Sequence, residues 1–361
     1  MSHIPSTSLS TNDLSILAPD LRHVIASLPR INETADSPDA VVKFMRSIPL
    51  RPYDNPDAIV RDVRVPGPVD TAPRPSTTVR VFTPRNIATG ELLPVVLWSH
   101  HGGFFSMSPA RLDPFCTSIA VDARVIIVAP AYRQSPEHPF PARMFYLAPF
   151  DLVASAFDLS ILLAFEDVYQ VLLWLTESDE VSHYGIDASR IAIGGTSAGA
   201  ALAVGTLLRY RDEGRDTAKI RLLLLDDGAF TDASTSYSTA HNPVNRLWNA
   251  KLTRFMWNLY LPHGSEALDA PTRAYAVPAF AENFADLPPI LCAQWDDLTN
   301  DAIAFAHRLL EQGVAVEIHT YRGTFHVSDK LVPTAKSSLK KRADIVEALK
   351  AAFNGSEEPG L

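Results

Sequence analysis

The sequence predicts an α/β fold: a mostly parallel central sheet with helices on both faces and a small helical cap. Three observations carry that expectation. From residue 77 onward, short apolar and β-branched runs alternate with helix-periodic segments. One such run, Arg190-Ile191-Ala192-Ile193-Gly194, leads directly into Gly195-Thr196-Ser197-Ala198-Gly199 and a run of helix formers from Ala198 to Arg211. The interval from Asp232 to Ala285 breaks the alternation and is rich in aromatics (Trp248, Phe255, Trp257, Tyr260), which suits an inserted cap.

In chain order, residues 1–50 begin polar and then carry Leu14, Leu17, Leu21, Val24, Ile25 and Leu28 at helical spacing, broken by Pro19. They are read as an N-terminal helical cap segment, and 51–361 as the core. Residues 51–76 are Pro-rich, with a strand expected at Ala58–Val65. Thr78–Thr83 and Pro94–His100 read as strands, followed by a loop at His101–Pro109. Arg124–Ala129 is a dense β-branched run and hence a buried strand. A helix is expected over Glu166–Ser178, then the Ile191–Gly194 strand and its helix. Strands follow at Ile220–Leu225 and Ile290–Gln294, a helix at Asn300–Gln312 and a strand at Ala315–Tyr321. The cap insertion spans about 232–285.

The chain has 361 residues, 47% apolar and 20% charged, enough to bury one large core. A net charge of −9, with no long basic cluster, argues against a nucleic-acid partner. Lys340-Lys341-Arg342 reads as the solvated face of a C-terminal helix. The start has no basic region followed by an apolar one, and no stretch reads as a membrane span, so a cytoplasmic location is expected. Two cysteines, Cys116 and Cys292, make no disulfide framework and read as buried small hydrophobes.

The chemistry centres on Ser197. A strand entering a sharp turn with a helix behind it presents the apex side chain beyond the sheet, with glycines where strand and helix pass too close for a Cβ. A serine hydroxyl needs a base to take its proton and a carboxylate to orient that base. Such groups sit in loops beyond the carboxyl ends of strands. Asp296 follows one such strand, and His326 follows the next through Arg322-Gly323-Thr324-Phe325. For the acid, Asp297, Asp226 and Asp227 compete with Asp296. Among eleven histidines, His326 alone has both the position and the order Ser197, Asp296, His326 expected of an α/β-hydrolase. Oxyanion donors are expected from the N–H of Ala198 and from His100-His101-Gly102-Gly103-Phe104, a Gly-rich loop after an early strand.

These stretches together resemble the hormone-sensitive-lipase-like family of α/β-hydrolases, in the subgroup whose elbow reads GTSAG. The resemblance runs from about Pro94 to Val327. Tyr132-Arg133-Gln134-Ser135-Pro136-Glu137-His138-Pro139-Phe140-Pro141-Ala142 is similar to a family segment, and so are Leu225-Asp226-Asp227, Tyr275-Ala276-Val277-Pro278-Ala279, Leu287-Pro288-Pro289 and Tyr321-Arg322-Gly323-Thr324-Phe325-His326. The resemblance implies Ser197 as nucleophile, Asp296 as acid and His326 as base. It implies Gly102, Gly103 and Ala198 as oxyanion donors and His100 as the anchor of their loop. It further implies hydrolysis of a small carboxylic ester of short or medium acyl chain through an acyl-enzyme, with no metal or cofactor. An amidase or lactonase with the same triad, and a non-catalytic small-molecule receptor on the same fold, are the rival readings.

Three departures stand out. His101 replaces the first glycine of the family's His-Gly-Gly-Gly loop. Asn300 replaces an acid after the triad Asp and is expected to cap the following helix. Finally, 23 residues (143–165) separate Ala142 from Glu166, where the family has about two. This mostly apolar insert is read either as a lid or lipid-contacting loop or, the preferred reading, as a short retained intron translated in frame. In the second case the protein would fold poorly, and an inactive product is a further rival reading. Its Asp151 and Asp158 argue against a membrane span.

Overall fold

The computed structural model describes residues 14–28, 37–50, 53–66, 76–138, 163–233, 236, 238, 248–294 and 298–354. The expected strands form one eight-stranded sheet, β1 (Ala58–Val65), β2 (Thr77–Pro84), β3 (Leu93–Ser99), β4 (Ile126–Pro130), β5 (Ile186–Thr196), β6 (Ile220–Asp226), β7 (Ile290–Gln294) and β8 (Val316–Thr320), in the order β1-β2-β4-β3-β5-β6-β7-β8. β2 pairs antiparallel with both β1 and β4, and every pairing from β4 to β8 is parallel.

A parallel sheet covered on both faces needs strands apolar on both sides, and the period-2 alternation then sorts alternate residues to opposite cores. Val95, Leu97, Ile126, Val128, Ile191, Ile193, Leu223 and Leu225 enter the larger core. It is shared with helices Leu163–Glu177 and Ala198–Asp212. Val96, Trp98, Ile127, Ala129, Ala192, Leu222, Leu224 and Leu291 enter the opposite core. That face is covered by helices Asp113–Ala123 and Lys336–Asn354. Cys116 and Cys292 are buried free thiols.

The N-terminal segment makes two short helices, Pro19–Ser27 and Pro38–Ser47. Pro19 opens the first helix rather than breaking it, since the missing N–H of a first-turn residue costs nothing. Leu17, Leu21 and Ile25 pack on Phe325, next to His326, and the Ala18 N–H donates to the Gly323 carbonyl at 2.8 Å. From the second helix, Arg46 donates to the carbonyls of Phe105 and Ser135 at 2.9 Å each and pairs with Glu137.

In the interval after β6, helix Ala250–Tyr260 starts at Asn249, whose side chain accepts the N–H groups of Lys251 and Leu252. Trp257 and Tyr260 from that helix are buried, and both rings pack on Phe104, Tyr260 stacked at 3.9 Å. Helix Thr299–Glu311 follows β7. Asn300 lies inside it and does not cap it. Its Oδ1 accepts the Ser238 N–H at 2.9 Å, and its own N–H donates to Ser238 Oγ at 3.2 Å. Most of the insert, residues 143–162, lies outside the described residues; 163–165 open the helix that ends at Glu177.

Candidate active site

Ser197 sits between the end of β5 and the helix starting at Ala198, with φ 58° and ψ −121°. That strained geometry turns the side chain off the sheet. The crowding expected around it is present. A Cβ on Gly195 would lie 2.2 Å from the Gly199 carbonyl oxygen, and one on Gly199 would lie 2.1 Å from that of Ser99. The Ser197 N–H donates to the Asp226 carbonyl at 2.8 Å, so the neighbouring strand holds the turn in place.

His326 lies on the loop after β8, buried, with Nε2 3.0 Å from Ser197 Oγ. For Nε2 to accept the serine proton, Nδ1 carries the ring hydrogen. The next residue, Val327, takes a left-handed conformation, φ 52°, and donates its N–H to Asp227 Oδ2 at 3.0 Å. The indole of Trp248 stacks on the imidazole, centroids 5.5 Å apart. Asp296 and Asp297 lie outside the described residues. Of the competing acids, Asp226 accepts the Thr196 hydroxyl at 2.8 Å and the Lys330 ammonium at 2.7 Å, and Asp227 accepts the Val327 N–H.

The loop after β3 passes beside the elbow, in line with the register Ser99 to Gly195. Gly102 has φ 124° and Gly103 φ 61°, and a Cβ on Gly102 would lie 2.0 Å from the Ser106 carbonyl oxygen. Gly102 O accepts from the N–H and hydroxyl of Ser106, 2.9 Å each, which closes the turn. As the first residue of its helix, Ala198 has an N–H with no intrahelical acceptor.

His100 lies buried at the start of this loop. Its Nδ1–H donates to the His101 carbonyl at 2.7 Å, and its ring stacks on Tyr132 at 4.0 Å. Burial pushes the His100 imidazole down to about 4, against the opposing pull of that hydrogen bond. Burial, then His100 and nearby cations, push His101 down to about 3. The Tyr132 hydroxyl donates to the His100 carbonyl at 2.9 Å, and Ser135 N–H to that of Phe104 at 2.9 Å. Gln134 Nε2 donates to Met107 O at 2.8 Å. Arg133 is held by Asp167 at 2.7 Å, so the Tyr132–Pro136 stretch backs the glycine loop.

Beneath the pair lies a cluster of buried charges that sequence reasoning missed. Lys341 is not on a solvated face. Its ammonium contacts Asp226, and lies 3.2 Å from Asp227 and 3.3 Å from Asp329. Burial opposes its charge, but the three carboxylates hold it well above the ordinary lysine range. Burial would likewise raise Asp226, yet Lys330 and Lys341 outweigh that and hold it well below the usual carboxylate range. Among the described residues, Asp226, Asp227 and Asp329 alone have the spacing of a metal site, and the two ammonium groups already occupy it.

The sequence matches the α/β hydrolase fold family over residues 96–145 and 158–329. It is 30% identical over 325 residues to esterase LipI of Mycobacterium tuberculosis, covering 90% of this chain and 91% of that one. It is 26% identical over 271 residues to probable carboxylesterase 8 of Arabidopsis thaliana, covering 70% and 76%. A bacterial heroin esterase superimposes with a TM-score of 0.74 at 29% identity, over 94% of this chain and 99% of the other. An esterase of Pyrobaculum calidifontis gives 0.70 at 26%, over 93% and 98%. The chain belongs to the α/β-hydrolase fold family. No helix among the described residues is long and apolar enough to cross a membrane.

Proposed function

We propose that this protein hydrolyses small carboxylic esters through an acyl-enzyme on Ser197. The observation that carries the reading is the 3.0 Å approach of His326 Nε2 to Ser197 Oγ at a strained elbow. Relatives and structural neighbours named as esterases support it. Ser197 Oγ attacks the ester carbonyl carbon while His326 takes its proton. Charge builds on the carbonyl oxygen, where the N–H groups of Gly102, Gly103 and Ala198 receive it. His326 returns the proton to the departing alkoxide, and water, deprotonated by the same imidazole, releases the acid. Asp296 is assigned the orienting carboxylate on sequence order. The chemistry calls for no metal or cofactor.

The buried aromatics next to the loop, Trp248, Phe104 and Phe105, favour short or medium acyl chains. The N-terminal segment 1–50 and the insertion at about 232–285 are assigned to the cap. An excess of negative charge supports a chain that does not bind nucleic acid, and a cytoplasmic location is assigned. For the insert, the family match leaves out residues 146–157, which supports an extra segment within 143–165. An mRNA that keeps it in cells with activity would reject the intron reading.

The test is a p-nitrophenyl ester series from acetate to octanoate, with Ser197→Ala as control. Turnover is expected on the shorter esters and loss in the control. A folded wild-type protein that turns over none of them rejects the esterase reading.

A further inference from the structure

Two adjacent residues at the end of β6 touch both halves of the candidate pair. The main-chain carbonyl of Asp226 accepts the Ser197 N–H at 2.8 Å, and its carboxylate accepts the Thr196 hydroxyl at 2.8 Å. The Asp227 carboxylate accepts the N–H of Val327, the residue after His326, at 3.0 Å. The distance between nucleophile and base is therefore set through one dipeptide.

That dipeptide carries two negative charges in a buried place, and a third, Asp329, lies beside them. Carboxylates this close repel and are costly to desolvate unless paired. Two lysines meet them. Lys330 reaches Asp226 at 2.7 Å and Asp329 at 2.5 Å; Lys341, from the helix Lys336–Asn354, reaches all three acids. None of the five side chains is more than 8% exposed. Elsewhere that helix packs on the sheet through Ile345, Leu349 and Phe353, an ordinary apolar stripe. A lysine on that face is expensive to bury for helix docking alone, and its ammonium ends where the two catalytic loops are tied together.

We propose that Asp227 and Lys341 are positioning residues for the Ser197–His326 pair: Lys341 fixes the Asp226–Asp227 carboxylates, and Asp227 fixes the loop that carries His326. This rests on the esterase reading above. The charged and titratable groups around His326, among the described residues, are Asp226 at the end of β6 and Asp227 next to it, Asp329 and Lys330 after the histidine, Lys341 on the last helix, and His100 and His101 on the glycine loop. Removing a cation from this set favours the imidazolium, and removing an anion disfavours it.

The test uses Lys341→Met, Asp227→Asn and Lys341→Arg in the full chain. Readouts are kcat and KM on p-nitrophenyl acetate, the pH dependence of kcat/KM, and the rate at which a fluorophosphonate labels Ser197. Lys341→Met is expected to lower kcat and the labelling rate by about tenfold or more with KM nearly unchanged. Its acid limb should move to higher pH. Asp227→Asn keeps an acceptor for the Val327 N–H, loses one charge, and should move the limb to lower pH. Lys341→Arg should restore most of kcat. Folded variants with unchanged kcat and labelling, or with acid limbs moving the same way, overturn the proposal. If Lys341→Met does not fold, the direction of the Asp227→Asn limb decides. A wild-type protein inactive on every ester but readily labelled rejects the esterase reading alone, and the labelling rates of the variants still test positioning. A wild-type Ser197 that resists labelling overturns both.

Discussion

Trp248 spans the gap between the glycine loop and His326. Its indole stacks on the imidazole at 29° between planes, and its Cη2 stands 3.0 Å from where a Cβ on Gly103 would lie. Its Nε1–H is fixed by Thr253 Oγ1 at 3.0 Å, so the ring cannot swing away without losing a buried hydrogen bond. An acyl group whose carbonyl oxygen points at the loop amides starts its chain beside this ring. Trp248→Ala is therefore expected to favour longer chains. At about 0.8 kcal/mol per buried methylene, two extra methylenes shift the octanoate-to-acetate ratio of kcat/KM by roughly tenfold or more. A Trp248→Ala profile that keeps the wild-type chain-length order sinks this assignment.

Gly102 is the position in the loop least able to accept a side chain. Gly102→Ala would place a Cβ 2.0 Å from the Ser106 carbonyl oxygen at φ 124°, so the turn must move. Displacing one oxyanion donor typically costs about 10²–10³ in kcat. The expected outcome is a loss of that size in kcat with KM changed little, measured by steady-state kinetics at saturating ester. Activity within a few-fold of wild type would mean that Gly102 does not shape the oxyanion site.

Asp167 holds the segment behind that loop. Its carboxylate is 4% exposed and accepts Arg133 at 2.7 Å and the Arg133 main-chain N–H at 2.8 Å. Asp167→Ala leaves the guanidinium and that N–H without their partner, a type of loss worth about 3 kcal/mol. Urea unfolding should show a lower midpoint at unchanged slope. An unchanged midpoint would place the support of Tyr132–Pro136 elsewhere.

Much of this was legible in the sequence, and the rest was not for physical reasons. Apolar runs placed the other strands within two residues, because a strand buried on both faces has no polar alternation to hide it, but β5 begins at Ile186 rather than Ile191, since its first half, Ile186–Arg190, is partly exposed and polar. The elbow was legible because backbone crowding at Gly195 and Gly199 admits so few residue types. Lys341 was not. Beside Lys340 and Arg342 it looks like surface, and Lys340 does pair outward with Asp344 one turn on. Its partners Asp226 and Asp227 are more than a hundred residues away, and only tertiary packing joins them. A trace was present, since Lys341 falls on the same helical stripe as Ser338, Ile345 and Leu349, the stripe that is buried. The aromatics of 248–260 were visible as a cluster, but their stacking on Phe104 and His326 depends on how the interval folds back over the loop.

The two histidines of the glycine loop are expected to make stability depend on pH in a defined window. His100 is 1% exposed and pushed down to about 4 by burial, whereas an unfolded histidine titrates near 6.5. Between these values the unfolded chain binds a proton that the folded chain does not, so stability falls as pH drops from about 6.5 toward 4 and levels off below. Integrated over the window, the loss is on the order of 3 kcal/mol for His100. His101, pushed down to about 3, acts in the same direction. Glu137, held down to about 2 by its hydrogen bond to Arg46, contributes stability that is lost only as pH falls from the ordinary glutamate range toward 2, mostly below the histidine window. Urea midpoints at pH 7, 5.5 and 4.5 should fall in that order. His100→Gln, which cannot take up a proton when unfolded, should flatten the fall, whatever its effect on the midpoint at pH 7. An equally steep fall in the variant would assign the pH dependence to groups other than His100.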